Sequence, residues 1–268
     1  MRIGVKPGQW GWSFADLRAS WRAAEEAGLD YLACSDHVSA GPSGSAAWDA
    51  PTLLAAMAAV TDRVTLSVRV IDVTLRNPLL LAGQLTVAQA ASGGRLDVGL
   101  GTGNPGLAPL HHGAAGIEFP RLADRSDQLE RCCRLLPALW RGERVTDAPS
   151  GLRDACLGPT GITPPRLTVA ASGPRTMRSA ARHADAWIAV CDDPVAYERL
   201  ARQLDAACRA VGRDRALSRE VQIPLDVDEL ATARALLGRF AAAGADSAVI
   251  SLPAGGPAMV RRVAEAVV

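Results

Sequence analysis

Short runs rich in β-branched residues alternate along the chain with Ala-, Leu- and Arg-rich stretches of helical period. The runs lie near residues 2–6, 30–35, 64–71, 95–100, 167–171, 185–190, 220–225 and 246–251, which predicts eight strands with helices between them. The first helix shows the logic. Ser13 stands where a cap is needed, Asp16 falls in the first turn, Phe14, Leu17, Trp21 and Ala24 share one face, and Gly28 stops it. The segment from Leu53 to Val60 is apolar all round, so a helix there needs cover on both sides, from the sheet and from a second subunit; a homodimer is expected.

Eight strand-helix units in 268 residues allow an open doubly wound sheet or a closed (β/α)8 barrel. Eight is the barrel number, so the expected fold class is α/β, a single-domain TIM barrel over residues 1–268 with short loops. Two Gly- and Pro-rich stretches, 102–120 and 143–165, break the rhythm and are long for plain connections. They bracket a fourth helix at 121–141, whose predicted apolar stripe is Leu122, Leu129, Cys133, Leu136 and Trp140.

Charge narrows the partners. With 29 basic and 28 acidic side chains the formal net charge is +1, which gives no long-range attraction for nucleic acid or an anionic membrane. Lys6 is the only lysine, a bias of composition from which no site is read. No apolar run approaches the roughly 20 residues of a membrane span, and Arg2 to Lys6 reads as a strand instead of a signal peptide, so the cytoplasm is the expected location. Cys34, Cys132, Cys133, Cys156, Cys191 and Cys208 form no C-x-x-C pair, which suits reduced thiols and argues against a disulfide or metal site.

The candidate chemistry lies after the strands, where barrels build their sites. Gly101-Thr102-Gly103-Asn104-Pro105-Gly106 matches the dinucleotide fingerprint in form, but it follows the fourth strand and no acidic residue ends a next strand about 20 residues on. Pro105, Gly106, Pro109 and Gly113 also bar a helix from opening there. The loop is read as a pocket floor. Ser35-Asp36-His37 ends the second strand, where His37 is either held by a loop carbonyl or takes an acid/base part tuned by Asp36. Asn77 and Pro78 open a helix. Ala171, Ser172, Gly173, Pro174, Arg175 and Thr176 place free N–H groups, hydroxyls and a cation at a helix start, an anion site. Trp10 and Trp12 follow the first strand and either wall an aromatic ligand or cover the rim. His111 and His112 read as solvated loop histidines pointing apart, and His183 as a helix-end contact with the dipole.

Together these residues resemble the luciferase-like monooxygenase superfamily, in its branch that uses the deazaflavin coenzyme F-420. The resemblance covers nearly the whole chain. It rests on Ser35-Asp36-His37, on Arg76-Asn77-Pro78 with Leu81-Ala82, and on Ser92-Gly93-Gly94-Arg95 leading into Gly99-Leu100-Gly101-Thr102-Gly103. Leu139-Trp140-Arg141-Gly142 and Ala171-Ser172-Gly173-Pro174 with Ala184-Asp185-Ala186-Trp187 complete it. The resemblance implies a flavin or deazaflavin at the barrel mouth with its ring against a bulge in the third strand. There a cis non-proline peptide would fall near Arg69-Val70, although small residues usually precede that bulge.

By the same resemblance Val70, Ile71 and Gly101 to Gly103 hold the ring, Ala171 to Pro174 with Thr176 hold the phosphate-bearing tail, and Trp10, Trp12 and Asn104 face the substrate. Asp36 and His37 would sit beside the ring's hydride-bearing carbon, with His37 as the candidate acid. The expected activity is hydride transfer between F-420 and a small organic substrate. Asn104 stands where the branch's sugar-phosphate dehydrogenases carry a glutamate, and one lysine cannot supply their phosphate-gripping lysines, which argues against glucose 6-phosphate. The segment Leu225-Asp226-Val227-Asp228-Glu229 is shorter than in relatives and opens the pocket. Rival readings are an FMN-dependent monooxygenase, a noncatalytic flavin-binding barrel and, least favoured, a nicotinamide reductase.

Overall fold

A computed structural model of the chain describes residues 1–41, 44–225, 229–252 and 255–268. Eight parallel strands close into a barrel: β1 (Arg2–Lys6), β2 (Tyr31–Cys34), β3 (Thr65–Asp72), β4 (Leu96–Gly101), then β7 (Arg166–Ala170), β8 (Ala186–Val190), β9 (Ser218–Pro224) and β10 (Ser247–Ser251). Around the barrel the order is β1, β10, β9, β8, β7, β4, β3, β2, so β1 faces β7 across it. The expected barrel is the fold observed.

The helices lie where the period placed them. In α1 (Phe14–Glu26) the Ser13 hydroxyl accepts from the Asp16 N–H, and Gly28 follows the helix at a φ of 78° that favours glycine. The remaining helices are α2 (Ala50–Ala58), α3 (Pro78–Ala91), α4 (Leu122–Trp140), α5 (Pro174–His183), α6 (Pro194–Ala210), α7 (Leu230–Ala242) and α8 (Gly256–Val267). Neighbours pack in order from α2 to α8, and α8 packs on α1. Within one chain, Leu53, Leu54, Met57 and Ala58 of α2 are buried, while Ala55 and Ala56 are half-buried. Among the described residues no helix is long and apolar enough to cross a membrane.

The stretch 143–165, long for a plain connection, holds an antiparallel hairpin, β5 (Val145–Asp147) with β6 (Leu152–Ala155), turning through Gly151 at a φ of 71°. Two expectations need correction. Pro105, Gly106, Pro109 and Gly113 do not bar helical turns: Pro109–Gly113 forms a short wide helix before α4. Leu122 leaves the α4 stripe and is 62% exposed, because it stands in the helix's first turn at the barrel mouth; Leu129, Cys133, Leu136 and Trp140 are buried as expected. The short segment after β9 falls on residues 226–228, outside the described residues.

The barrel interior is polar at its centre. Arg69 donates through Nε to Glu220 and through Nη2 to Glu220 at 3.1 Å, and the same nitrogen lies 3.1 Å from Asp97. Thr168 donates to Asp97 at 2.6 Å and Ser247 to Glu220 at 3.3 Å, so the carboxylates have further partners. Strand alternation then puts Lys6 of β1 and Ser251 of β10 on the inward side, since Ser251 shares the parity of Ser247 and is the register partner of Lys6.

Candidate active site

At the C-terminal ends of the strands lies a cavity of about 780 Å³, within the size range of small-molecule and cofactor sites. Arg69 lines its floor, with its guanidinium already spent on Glu220 and Asp97. One wall is the β3–β4 junction. The register of β3 against β4 shifts between Val68 and Ile71, and the Arg69–Val70 peptide is cis, at the position the resemblance gave. A Cβ on Gly99 or Gly101 would run into Val70, and one on Gly103, whose φ is 78°, into the Asp72 carboxylate. Glycine at these positions makes room for the Val70 and Asp72 side chains at the bulge.

Arg125, packed over the Phe119 ring, donates to the Thr102 and Gly103 carbonyls and so holds the loop at this wall. Opposite β1, the chain leaves β7 through Ala171 and Ser172 into α5, with Gly173 at its N-cap. Trp187 donates to the Ala171 carbonyl at 2.8 Å, and the Thr176 hydroxyl donates to the Gly173 carbonyl at 3.1 Å, fixing the turn. The first N–H groups of α5 thus open on the same cavity as the β3 wall.

Most residues singled out from the sequence are brought together. Val70, Gly101, Thr102, Gly103 and Asn104 line the cavity on the β3–β4 side. Ala171, Ser172, Gly173, Pro174 and Thr176 line it on the α5 side, and Asp36 and His37 beside β2. Three residues fall elsewhere. Ile71 is fully buried in the apolar core, because the bulge turns Val70 to the cavity and its neighbour away. Trp12 also belongs to the core, at 5% exposure, with the Trp48 indole donating to its carbonyl. Trp10 stacks on His37 with ring centroids 3.8 Å apart and donates to the Ser39 carbonyl, so it backs the imidazole instead of walling the cavity.

Asp36 does not tune His37. Its carboxylate accepts both Nε and Nη2 of Arg76 and the Asp72 N–H at 3.1 Å, tying the loop after β2 to the end of β3. Arg76 also reaches Asp49 at 3.0 Å. Replacing Asp36 by alanine leaves a nearly buried guanidinium half-paired, and is expected to cost about 3 kcal/mol in urea unfolding. A midpoint equal to that of the parent protein would show that this pair does not hold the loop.

The histidines of the fourth loop are buried, not solvated: His111 is 5% exposed and His112 is 2% exposed. Their partners fix their protons. The Ser39 hydroxyl donates to the Leu110 carbonyl at 2.7 Å, so toward His111 Nδ1, 2.9 Å away, it can only accept. His111 therefore carries its proton on Nδ1 and offers Nε2 as acceptor to His37 Nδ1–H at 3.2 Å. The remaining nitrogen, His37 Nε2, has a lone pair and no protein partner among the described residues. Burial, the neighbouring His111 and the Lys6 charge bring His37 down to about 4, so it is neutral at physiological pH. His112 donates to Thr74, whose own hydroxyl donates to Asp72.

A profile of the luciferase-like monooxygenase family matches residues 1–250. The chain belongs to this family. An F-420-dependent hydroxymycolic acid dehydrogenase of Mycobacterium tuberculosis is 32% identical over 241 residues, covering 86% of this chain and 64% of that protein. An F-420-dependent glucose-6-phosphate dehydrogenase of Beutenbergia cavernae is 33% identical over 192 residues, covering 70% of this chain and 56% of that enzyme. The chain thus spans less than two thirds of these relatives' length. Among solved structures, an F-420-dependent secondary alcohol dehydrogenase in complex with an F-420–acetone adduct superposes with a TM-score of 0.82 at 16% identity, covering 99% of this chain and 98% of that one. This likeness shows the shared barrel fold.

Proposed function

We propose that this family member is an F-420-dependent oxidoreductase that removes a hydride from a small alcohol. The observation that carries the reading is the hydrogen-bond chain Leu110–Ser39–His111–His37, which leaves an unprotonated imidazole nitrogen beside the cavity. An alcohol becomes a carbonyl compound by losing a hydride from its carbon and a proton from its hydroxyl, and the proton needs a positioned base. His37 Nε2 can take it. The sequence suggested an acid at this position; a neutral ring whose other nitrogen is already committed as donor suits a base instead. The names of the relatives support F-420 as the partner.

The cavity fits that coenzyme on two counts. The wall at Val70, Gly101 and Gly103 carries no large side chain and would lie against the ring, and the α5 start at Ser172 to Thr176 offers N–H donors to a phosphate. When bound, the deazaflavin supplies a two-electron hydride acceptor. The protein's own residues orient the alcohol toward His37, hold that ring between Trp10 and His111, and close the floor with Arg69.

Fluorescence titration tests the cofactor. Micromolar quenching with F-420 and none with FMN is expected, while tight FMN binding without F-420 binding would make the chain a flavin monooxygenase of the same family. We further infer a homodimer through α2 and α3, where Leu80 and Val87 are exposed beside half-buried Ala55 and Ala56. The free thiols suit the reducing cytoplasm.

A further inference from the structure

Lys6 is a cation without a counter-ion at the barrel mouth. It ends β1 on the inward side and lines the cavity beside His37 and Arg69. The other charged groups of the cavity are matched: Arg69 by Asp97 and Glu220, Arg175 by Asp127, and Asp36 by Arg76. Asp72 accepts from Thr74 and lies 3.7 Å from His112. Among the described residues no carboxylate or carbonyl reaches the Lys6 ammonium, whose charged neighbours are the Arg69 guanidinium and, as a potential anion, the Cys34 thiol. Burial holds that thiol far above its usual range, so it is neutral.

Lys6 is half-buried and lines the cavity as a donor without an acceptor, which a bound anion completes. Its register partner on β10, Ser251, has its hydroxyl sealed away and does not line the cavity, so it offers the ammonium no competing acceptor there. The place of Lys6 in the barrel matters. β1 lies across from β7 and the α5 start, and His37 follows β2, a neighbour of β1. One ammonium balances the single charge of a carboxylate.

We propose that Lys6 forms the subsite for a carboxylate on the substrate, so that the alcohol oxidised beside His37 is a small hydroxy acid. This rests on the alcohol-oxidising reading of the cavity. It also explains how a weakly basic His37 gains strength with substrate in place: a carboxylate against Lys6 cancels one of the charges that lower the imidazole.

Because Lys6 is the only lysine, reductive methylation with isotope-labelled formaldehyde marks one side-chain amine, which keeps its charge and is read by NMR in the cofactor-free protein. Burial, helped by the Arg69 charge, brings the Lys6 amine down to about 8. Acetate and lactate are expected to shift its resonance and raise its titration midpoint by about one unit, while 2-propanol does neither. By calorimetry, Lys6→Met should abolish lactate binding. An unmoved resonance, or Lys6→Met protein that binds lactate like the parent, overturns the subsite. Phosphate shifting the resonance at lower concentration than lactate overturns the carboxylate assignment. Lactate binding without F-420 binding keeps the subsite and removes the oxidoreductase reading; turnover of neutral alcohols without lactate binding does the reverse.

Discussion

Replacing His37 by alanine is expected to lower alcohol turnover with F-420 by about 10²- to 10⁴-fold, the usual range for a positioned base. The coenzyme's affinity should hardly change, because the wall at Val70 and Gly101 and the α5 start do not include the imidazole. The pH profile separates a base from a merely structural ring. With His37 brought down to about 4, its neutral form dominates above that value. Activity should therefore hold through pH 6, where an ordinary histidine is mostly protonated, and fall only as the pH approaches about 4. His111→Phe keeps the packing but removes the acceptor that sets the His37 tautomer, and about a tenfold loss is expected. A His37→Ala protein with parental turnover on its proper substrate would eliminate the base.

Replacing Arg69 by methionine is expected to cost 3–5 kcal/mol of stability, roughly the loss seen when one partner of a buried ion network is removed. The guanidinium is fully buried and stands between two carboxylates, on β4 and β9, three strands apart around the barrel. Without it Asp97 keeps Thr168 and, at 3.9 Å, Arg166, while Glu220 keeps Ser247. Arg69→Met with Glu220→Gln should recover part of the loss, because one uncompensated charge is then gone. Urea unfolding of the parent, both single variants and the double variant gives the coupling directly. A loss below about 1 kcal/mol in Arg69→Met would mean that the surrounding strands, not the ion network, hold the barrel floor.

The barrel was legible because its strands are buried on both faces and so appear as compact β-branched runs, each followed by a helix with its own cap or stop. Val145 to Asp147 and Leu152 to Ala155 escaped because strands of three and four residues, one of them mostly polar, carry too little pattern. The site was legible to the extent that chemistry sits at strand ends. His37, the glycine loop and the α5 start were found from position alone. Ile71 was misplaced because a bulge reverses the alternation on which an inward-or-outward reading depends.

His111 was read as solvated because its neighbours in sequence are Gly- and Pro-rich, whereas its burial comes from Trp10 and Ser39, far away along the chain. Asp36 was paired with His37 because they are adjacent, but its carboxylate turns to Arg76, forty positions on. Local sequence by itself determined the eight strands of the barrel, the extents of the first and fourth helices, the barrel class and the rim on which chemistry gathers, since these follow from periodicity and from the residues that start and stop elements. Only the tertiary structure decided which side chain meets which: the protonation of His37, the saturation of Arg69, and the isolation of Lys6. Those properties depend on short distances and shared burial between segments that the closed barrel brings together, and no local pattern records them.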